Sequence, residues 1–285
     1  MLTNKFSADE TLRIIDLALA EDRVHDDITS RALIPAGLSG RAVLLAKASG
    51  VISGLDIFRR VYQLVDRDLK VSAHLKDGDP VEPGEVAAEV AGPVRSILAG
   101  ERVALNFVCH LSGVATLTSR YVAEVKGFPA VITDTRKTMP GIRLLEKAAV
   151  KAGGGTNHRF NLADGVLVKD NHIAILRKEV KSLADIVYQA KAAAPTGVMV
   201  EIEVTSLAEA EEAASAGAGM LLLDNMTPAA VKEIVARLGT KVILEASGGI
   251  TLENVRRFAE TGVHRISIGA LTHSARVLDL SLELS

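Results

Sequence analysis

Arg136-Lys137, Arg159 and Lys169 put four cations into one stretch of a chain whose formal net charge is -2, with His158 beside them. Clustered cations in a nearly neutral protein call for an anionic ligand. Arg offers a planar fork that matches carboxylate or phosphate, and Lys offers a point charge. Four of them suggest a ligand carrying several negative charges. Two carboxylates lie further on, Glu203 and Asp224, suited to Mg²⁺ or to ribose hydroxyls. Ser247-Gly248-Gly249 and Gly269 supply turns whose backbone N–H groups could approach a phosphate. The chemistry that fits is binding of a phosphorylated sugar beside a second, anionic partner.

These groups share a position in the pattern of elements. Apolar, β-rich runs recur at Val131–Thr133, 165–168, 198–204, 220–223, 242–244 and 265–268, and Ala-rich helical segments separate the later ones. The last four begin at 198, 220, 242 and 265, a period of 22 to 23 residues. Strand–helix alternation at that period predicts a parallel sheet or a β/α barrel, and periodicity leaves the two open. Nearly every run ends in a charged group or a glycine. Barrels carry their sites at the C-terminal ends of the strands. Taken singly, the motifs are weak. Arg136-Lys137 would read as a solvated turn, Gly153-Gly154-Gly155 as a flexible loop, His158 as a structural histidine. Glu201 and Glu203 alternate, so they point the same way on a strand, and one of them need only pair with a rim cation.

The first 95 residues read as a small α+β unit. Ser7-Ala8-Asp9-Glu10 has the form of a capping box and opens a helix to about Ala20. Asp26-Asp27 reads as a turn cap, and a helix is predicted over Leu55–Val65. A long helical pattern runs from Ile97 to about Val125, with a break predicted near Gly113; His110 and Arg102 lie on it.

Composition excludes several classes. No overall basic field points to nucleic acid or an anionic membrane, and with aromatics at 3% and no Trp there is little for base stacking. A single cysteine, Cys109, rules out an internal disulfide and a Cys-based zinc site; it reads as a small buried hydrophobe. MLTNKFSADE has no apolar signal core, and no run of 18 apolar residues exists, so a cytoplasmic protein is expected.

The stretch Asp134 to Ile173, DTRKTMPGIRLLEKAAVKAGGGTNHRFNLADGVLVKDNHI, resembles the signature of quinolinate phosphoribosyltransferase. Further matches are GERVALN (100–106), LSGVAT (111–116), VEIEV (200–204), LLLDN (221–225), SGGI (247–250) and SIGALTHS (267–274). The resemblance implies an α/β chain with an N-terminal α/β sandwich domain over 1–112 and an incomplete β/α barrel over 113–272. A segment 273–285 would pack back on the first domain. It implies transfer of phosphoribosyl from phosphoribosyl pyrophosphate to quinolinate, with decarboxylation, giving nicotinate mononucleotide, CO₂ and pyrophosphate, and a need for Mg²⁺. It implies a homodimer, or a hexamer built of dimers, in which Arg102 reaches the neighbouring subunit's site. Arg136, His158 and Arg159 match the pocket for the quinolinate carboxylates, with Thr135 beside them. Lys137 and Lys169 match lysines between quinolinate and pyrophosphate. Glu203 and Asp224 match carboxylates near the ribose, holding Mg²⁺ directly or through water. Ser247, Gly248, Gly249, Ser267, Gly269 and His273 match the 5′-phosphate end. Asp26 and Asn161 depart from the family pattern, each where a glycine is usual, and bear on local loop shape. A paralogue linked to molybdenum transport shares the fold but keeps fewer site residues; the intact NHR and KDNH blocks argue against it.

Overall fold

The computed structural model describes residues 8–179 and 181–284. Along the chain the elements are α1 (Ala8–Glu21), α2 (Ile28–Leu33), β1 (Ser39–Ala46), β2 (Gly50–Val51), α3 (Leu55–Val65), β3 (Lys70–Ala73), β4 (Pro80–Val81), β5 (Val86–Pro93) and α4 (Val94–Glu124). Then follow β6 (Val131–Thr133), α5 (Arg143–Ala152), β7 (Val166–Val168), α6 (Asp170–Arg177), α7 (Leu183–Ala193), β8 (Val200–Val204), α8 (Leu207–Ser215) and β9 (Met220–Asp224). The chain finishes with α9 (Pro228–Leu238), β10 (Ile243–Ser247), α10 (Val255–Ala259), β11 (Arg265–Ser267), α11 (Ala270–His273) and β12 (Leu280–Leu284). They form two compact units, one from 8–119, 138–154 and 271–284, the other from 120–137 and 155–270. The predicted Ser7 cap lies outside the described residues.

The first unit is built on an antiparallel sheet of order β12-β1-β5-β3. Ala42, Leu44 and Ala46 alternate along β1 and are fully buried, as period-two geometry requires of one sheet face. In α3, Leu55, Phe58 and Tyr62 fall on one helical face with Val61 and are buried. The Asp77 carboxylate accepts from the Gly54 and Leu55 amides at 2.9 and 3.1 Å, which satisfies the start of that helix. Asp27 caps α2 by accepting from the Ser30 amide at 3.0 Å. The predicted break at Gly113 does not occur: α4 runs through it without interruption. Gly113 is there for close approach, because a Cβ at that position would lie 2.2 Å from the Arg276 carbonyl oxygen. Gly153 serves α5 in the same way, against the Ala115 carbonyl. Cys109 is half-buried rather than buried, because α4 leaves its thiol beside the chain near Leu280.

The second unit answers the question that periodicity leaves open. Its six strands are all parallel, in the order β6-β11-β10-β9-β8-β7. From β7 to β11 each strand joins the same side of its predecessor, and β6 then pairs with β11. No reversal of order occurs, as it would in a doubly wound sheet. This is barrel order, with the ring interrupted between β6 and β7. Along β8, β9, β10 and β11 one set of alternate residues is apolar and buried: Ile202, Val204, Leu221, Leu223, Leu244, Ala246 and Ile266. The other set contains Glu201, Glu203, Asp224, Glu245, Ser247 and Ser267. A barrel interior is ordinarily filled by branched apolar side chains, so carboxylates in that layer mark a site. Among the described residues no helix is long and apolar enough to cross a membrane.

Candidate functional site

The cations reach the barrel mouth through backbone geometry around β6. Thr156 bridges to Thr133 in parallel fashion, with the Thr156 amide on Ile132 O at 2.8 Å and the Asp134 amide on Thr156 O at 3.1 Å. Asp134, fully buried, uses its carboxylate as a clamp. It accepts from Asn157 Nδ2 at 2.6 Å and from the His158 amide at 2.9 Å. The segment 156–159 is thereby strapped beside β6, and His158 and Arg159 arrive next to the Arg136-Lys137 turn. That turn is held by the Lys137 amide donating to Thr135 Oγ1 at 3.1 Å. Lys169 stands at the end of β7, where it caps α6.

A cavity of about 310 Å³ opens here, large enough for a small ligand. Thr135, Arg136, Lys137, His158, Arg159 and Lys169 line it. Glu203, Asp224, Glu245, Ser247 and Ser267 line it too, together with Leu167 and Leu222. Groups scattered from residue 135 to 267 thus meet in one cavity. Arg159 donates from Nη1 to the Gly165 carbonyl at 2.9 Å. Burial, and then the charge of Arg136, pull its pKa below the usual guanidinium value. Two cations this close are what a bound anion would relieve. Glu203 is shifted the other way: burial, and then Asp224 and Asp170, raise its pKa. Glu245 is fully buried and is raised by burial and then by Glu201.

Residues 27–112 match the family described as quinolinate phosphoribosyl transferase, N-terminal domain, and residues 114–283 match its C-terminal domain. The chain belongs to the quinolinate phosphoribosyl transferase family. It is 42% identical over 274 residues to the carboxylating nicotinate-nucleotide pyrophosphorylase of Mycobacterium leprae, covering 94% of each chain. It is 40% identical over 273 residues to a probable enzyme of that name from Bacillus subtilis, covering 96% of this chain and 93% of the relative. A crystal structure of NadC from Streptococcus pyogenes superposes with a TM-score of 0.93 at 40% identity over 99% of both chains.

The other residues that the family resemblance singles out are not among those lining the cavity. Gly248 and Gly249 follow β10 with φ of 91° and 62°. A Cβ on Gly248 would fall 2.1 Å from Asn225 Oδ1, so any side chain there must displace Asn225. Asn225 itself sits at φ 54°, donates its amide to the Ser247 carbonyl at 2.9 Å, and holds Asp224 through Nδ2 at 2.6 Å. Gly269 follows β11. Arg102 and His273 belong to the first unit. Arg102 is exposed on α4 with Glu101 3.7 Å away, and His273 Nδ1 is 2.6 Å from Ser274 Oγ. Asn161, where the family pattern has glycine, accepts from the Ala163 amide at 2.8 Å; an Asx turn replaces the glycine turn.

Sequence reasoning gave Glu245 no role and left Glu201 only as a partner for a rim cation. Glu245 and Glu201 lie in the buried layer of the barrel with His158, whose Nε2 is 3.0 Å from Glu201 Oε2 and 3.6 Å from Glu245 Oε1. The signal was a carboxylate at the inward parity of an otherwise apolar strand. It was readable in principle but not separable from a rim position without the strand bounds.

Proposed function

We propose that this chain transfers phosphoribosyl from phosphoribosyl pyrophosphate to quinolinate with loss of CO₂, forming nicotinate mononucleotide and pyrophosphate. The observation that carries the reading is the meeting of Arg136, Lys137, Arg159 and Lys169 in one cavity that Glu203 and Asp224 also line. The arginines and Lys169 bind the two carboxylates of quinolinate, and Lys137 lies toward the pyrophosphate. The pyridine nitrogen forms a bond to the anomeric carbon as the bond to pyrophosphate breaks. Fixed cations stabilise the charge the leaving group takes, and the ribose-side carboxylates favour the electron-poor sugar carbon. The ring nitrogen is then positive. When the adjacent C–CO₂ bond breaks, its electron pair stays on the ring carbon beside that nitrogen, and a proton, delivered from Lys169, completes the product.

Glu203 and Asp224 fit Mg²⁺: both are hard oxygen donors lining one cavity, and after burial the Asp224 charge is the next cause that raises the Glu203 pKa. Such an ion supplies charge neutralisation of the pyrophosphate when bound. The chain works as a homodimer, or a hexamer of dimers, in the cytoplasm, with Arg102 donated across the interface; Arg102's exposure on α4 supports this. Incubating the protein with quinolinate, phosphoribosyl pyrophosphate and Mg²⁺ tests the reading. Nicotinate mononucleotide should form, and Lys137→Ala and Lys169→Ala should lose turnover while keeping the fold. Absence of product from folded wild-type protein would overturn it.

A further inference from the structure

Glu201 has no part in the chemistry above, yet it is buried in the barrel interior and faces a residue of the cavity wall. The geometry points to Glu201 as a positioning residue: through His158 it decides which ring nitrogen can accept the Arg159 amide, and so fixes Arg159 at the cavity. The inference rests on the reading of the cavity as the quinolinate site.

The hydrogen on the ring is assigned by its partners. The Arg159 backbone N–H points at His158 Nδ1 from 2.8 Å. An amide can only donate, so Nδ1 must offer a lone pair. The ring hydrogen then sits on Nε2, aimed at Glu201 Oε2 at 3.0 Å. The other tautomer would set a lone pair against a carboxylate at one end and two hydrogens against each other at the other. Glu245 Oε1 stands behind at 3.6 Å, and neither carboxylate oxygen of Glu245 has a hydrogen-bond partner among the described residues. His158 is thus a neutral ring with both nitrogens engaged inside the protein. With both nitrogens so engaged, His158 takes a supporting role toward Arg159 in the wall of the cavity that it lines. The supported group is Arg159, held by three fixtures: Asp134 on the His158 amide at 2.9 Å, the Glu201–His158 pair on its own amide, and the Gly165 carbonyl on its guanidinium at 2.9 Å. Removing the middle fixture leaves the charge present and its aim loose.

The test combines a spectrum with kinetics. The protein is labelled with ¹⁵N-histidine and its spectrum recorded without ligand. The signals of His158, one of seven histidines, are identified by their loss in His158→Gln. The wild type should show the Nε2–H tautomer. Glu201→Ala should lose that tautomer and raise the KM for quinolinate roughly tenfold or more, with a much smaller change in kcat, as expected when a binding group is misplaced. Glu201→Gln keeps a carbonyl acceptor and should restore both. A hydrogen on Nδ1 in the wild type, an unchanged KM in Glu201→Ala, or no rescue by Glu201→Gln would each overturn the inference. If the alanine variant does not fold, the wild-type tautomer and the glutamine variant decide. Because the spectrum is taken without substrate, failure here is distinct from failure of the proposed reaction.

Discussion

Gly248→Ala and Gly249→Ala are neighbouring substitutions with different costs. Both glycines lie at positive φ, 91° and 62°, where an L-residue is strained by about 1–2 kcal/mol. Only Gly248 is also crowded. Its new Cβ would stand 2.1 Å from Asn225 Oδ1 and 2.9 Å from the Asn225 backbone nitrogen, whereas a Cβ on Gly249 would meet nothing within 4 Å. Asn225 cannot swing aside freely, because its side chain holds Asp224 at 2.6 Å. Overpacking of this kind costs about 1–3 kcal/mol, so Gly248→Ala should be less stable than Gly249→Ala by that amount. For a chain of this size, that separates the ligand-free melting temperatures by roughly 2–12 °C. Displacing Asn225 also moves Asp224, so Gly248→Ala should raise the KM for phosphoribosyl pyrophosphate. Calorimetric melting of the two variants is the assay. Equal losses would show that strain, not the Asn225 contact, dictates glycine at 248.

Two further outcomes follow from the same structure. Glu245 has a pKa above the ordinary carboxyl value of 4.5 because of burial and the neighbouring Glu201. The fold therefore prefers its neutral form, and stability is complete below the unfolded value and lost as pH rises through the folded one. Between about pH 5 and pH 8 the wild-type melting temperature should fall more than that of Glu245→Gln; parallel curves would refute this. If Arg102 serves the neighbouring subunit, mixing Arg102→Ala with Lys137→Ala chains under exchange conditions should regain part of the activity, and no recovery in mixed dimers would place Arg102 outside the site.

Much of this was legible in the sequence because period and chemistry coincide. Leu55–Val65 and Val131–Thr133 keep the bounds their patterns predict. The cations at 136, 137 and 169 could be grouped because each follows an apolar run, and Arg159 joined them by charge alone. What could not be read was long-range. Gly113 looks like a helix breaker locally; its reason is a carbonyl 163 positions later, at Arg276. The choice between sheet and barrel depended on β6 pairing with β11, which no local spacing encodes. The role of Asp134 was invisible, since its partners at 157 and 158 come from a segment with no strand pattern of its own.

Convergence of separate cations on one diacid is the claim on which the rest stands, and calorimetric titration with quinolinate and with nicotinate, which lacks the second carboxylate, reads it directly. A charge-assisted hydrogen bond is worth about 1.5–3 kcal/mol, so quinolinate should bind at least about tenfold more tightly than nicotinate. Arg159→Ala should remove most of that difference. Equal affinity for the two acids in the wild type would contradict the account.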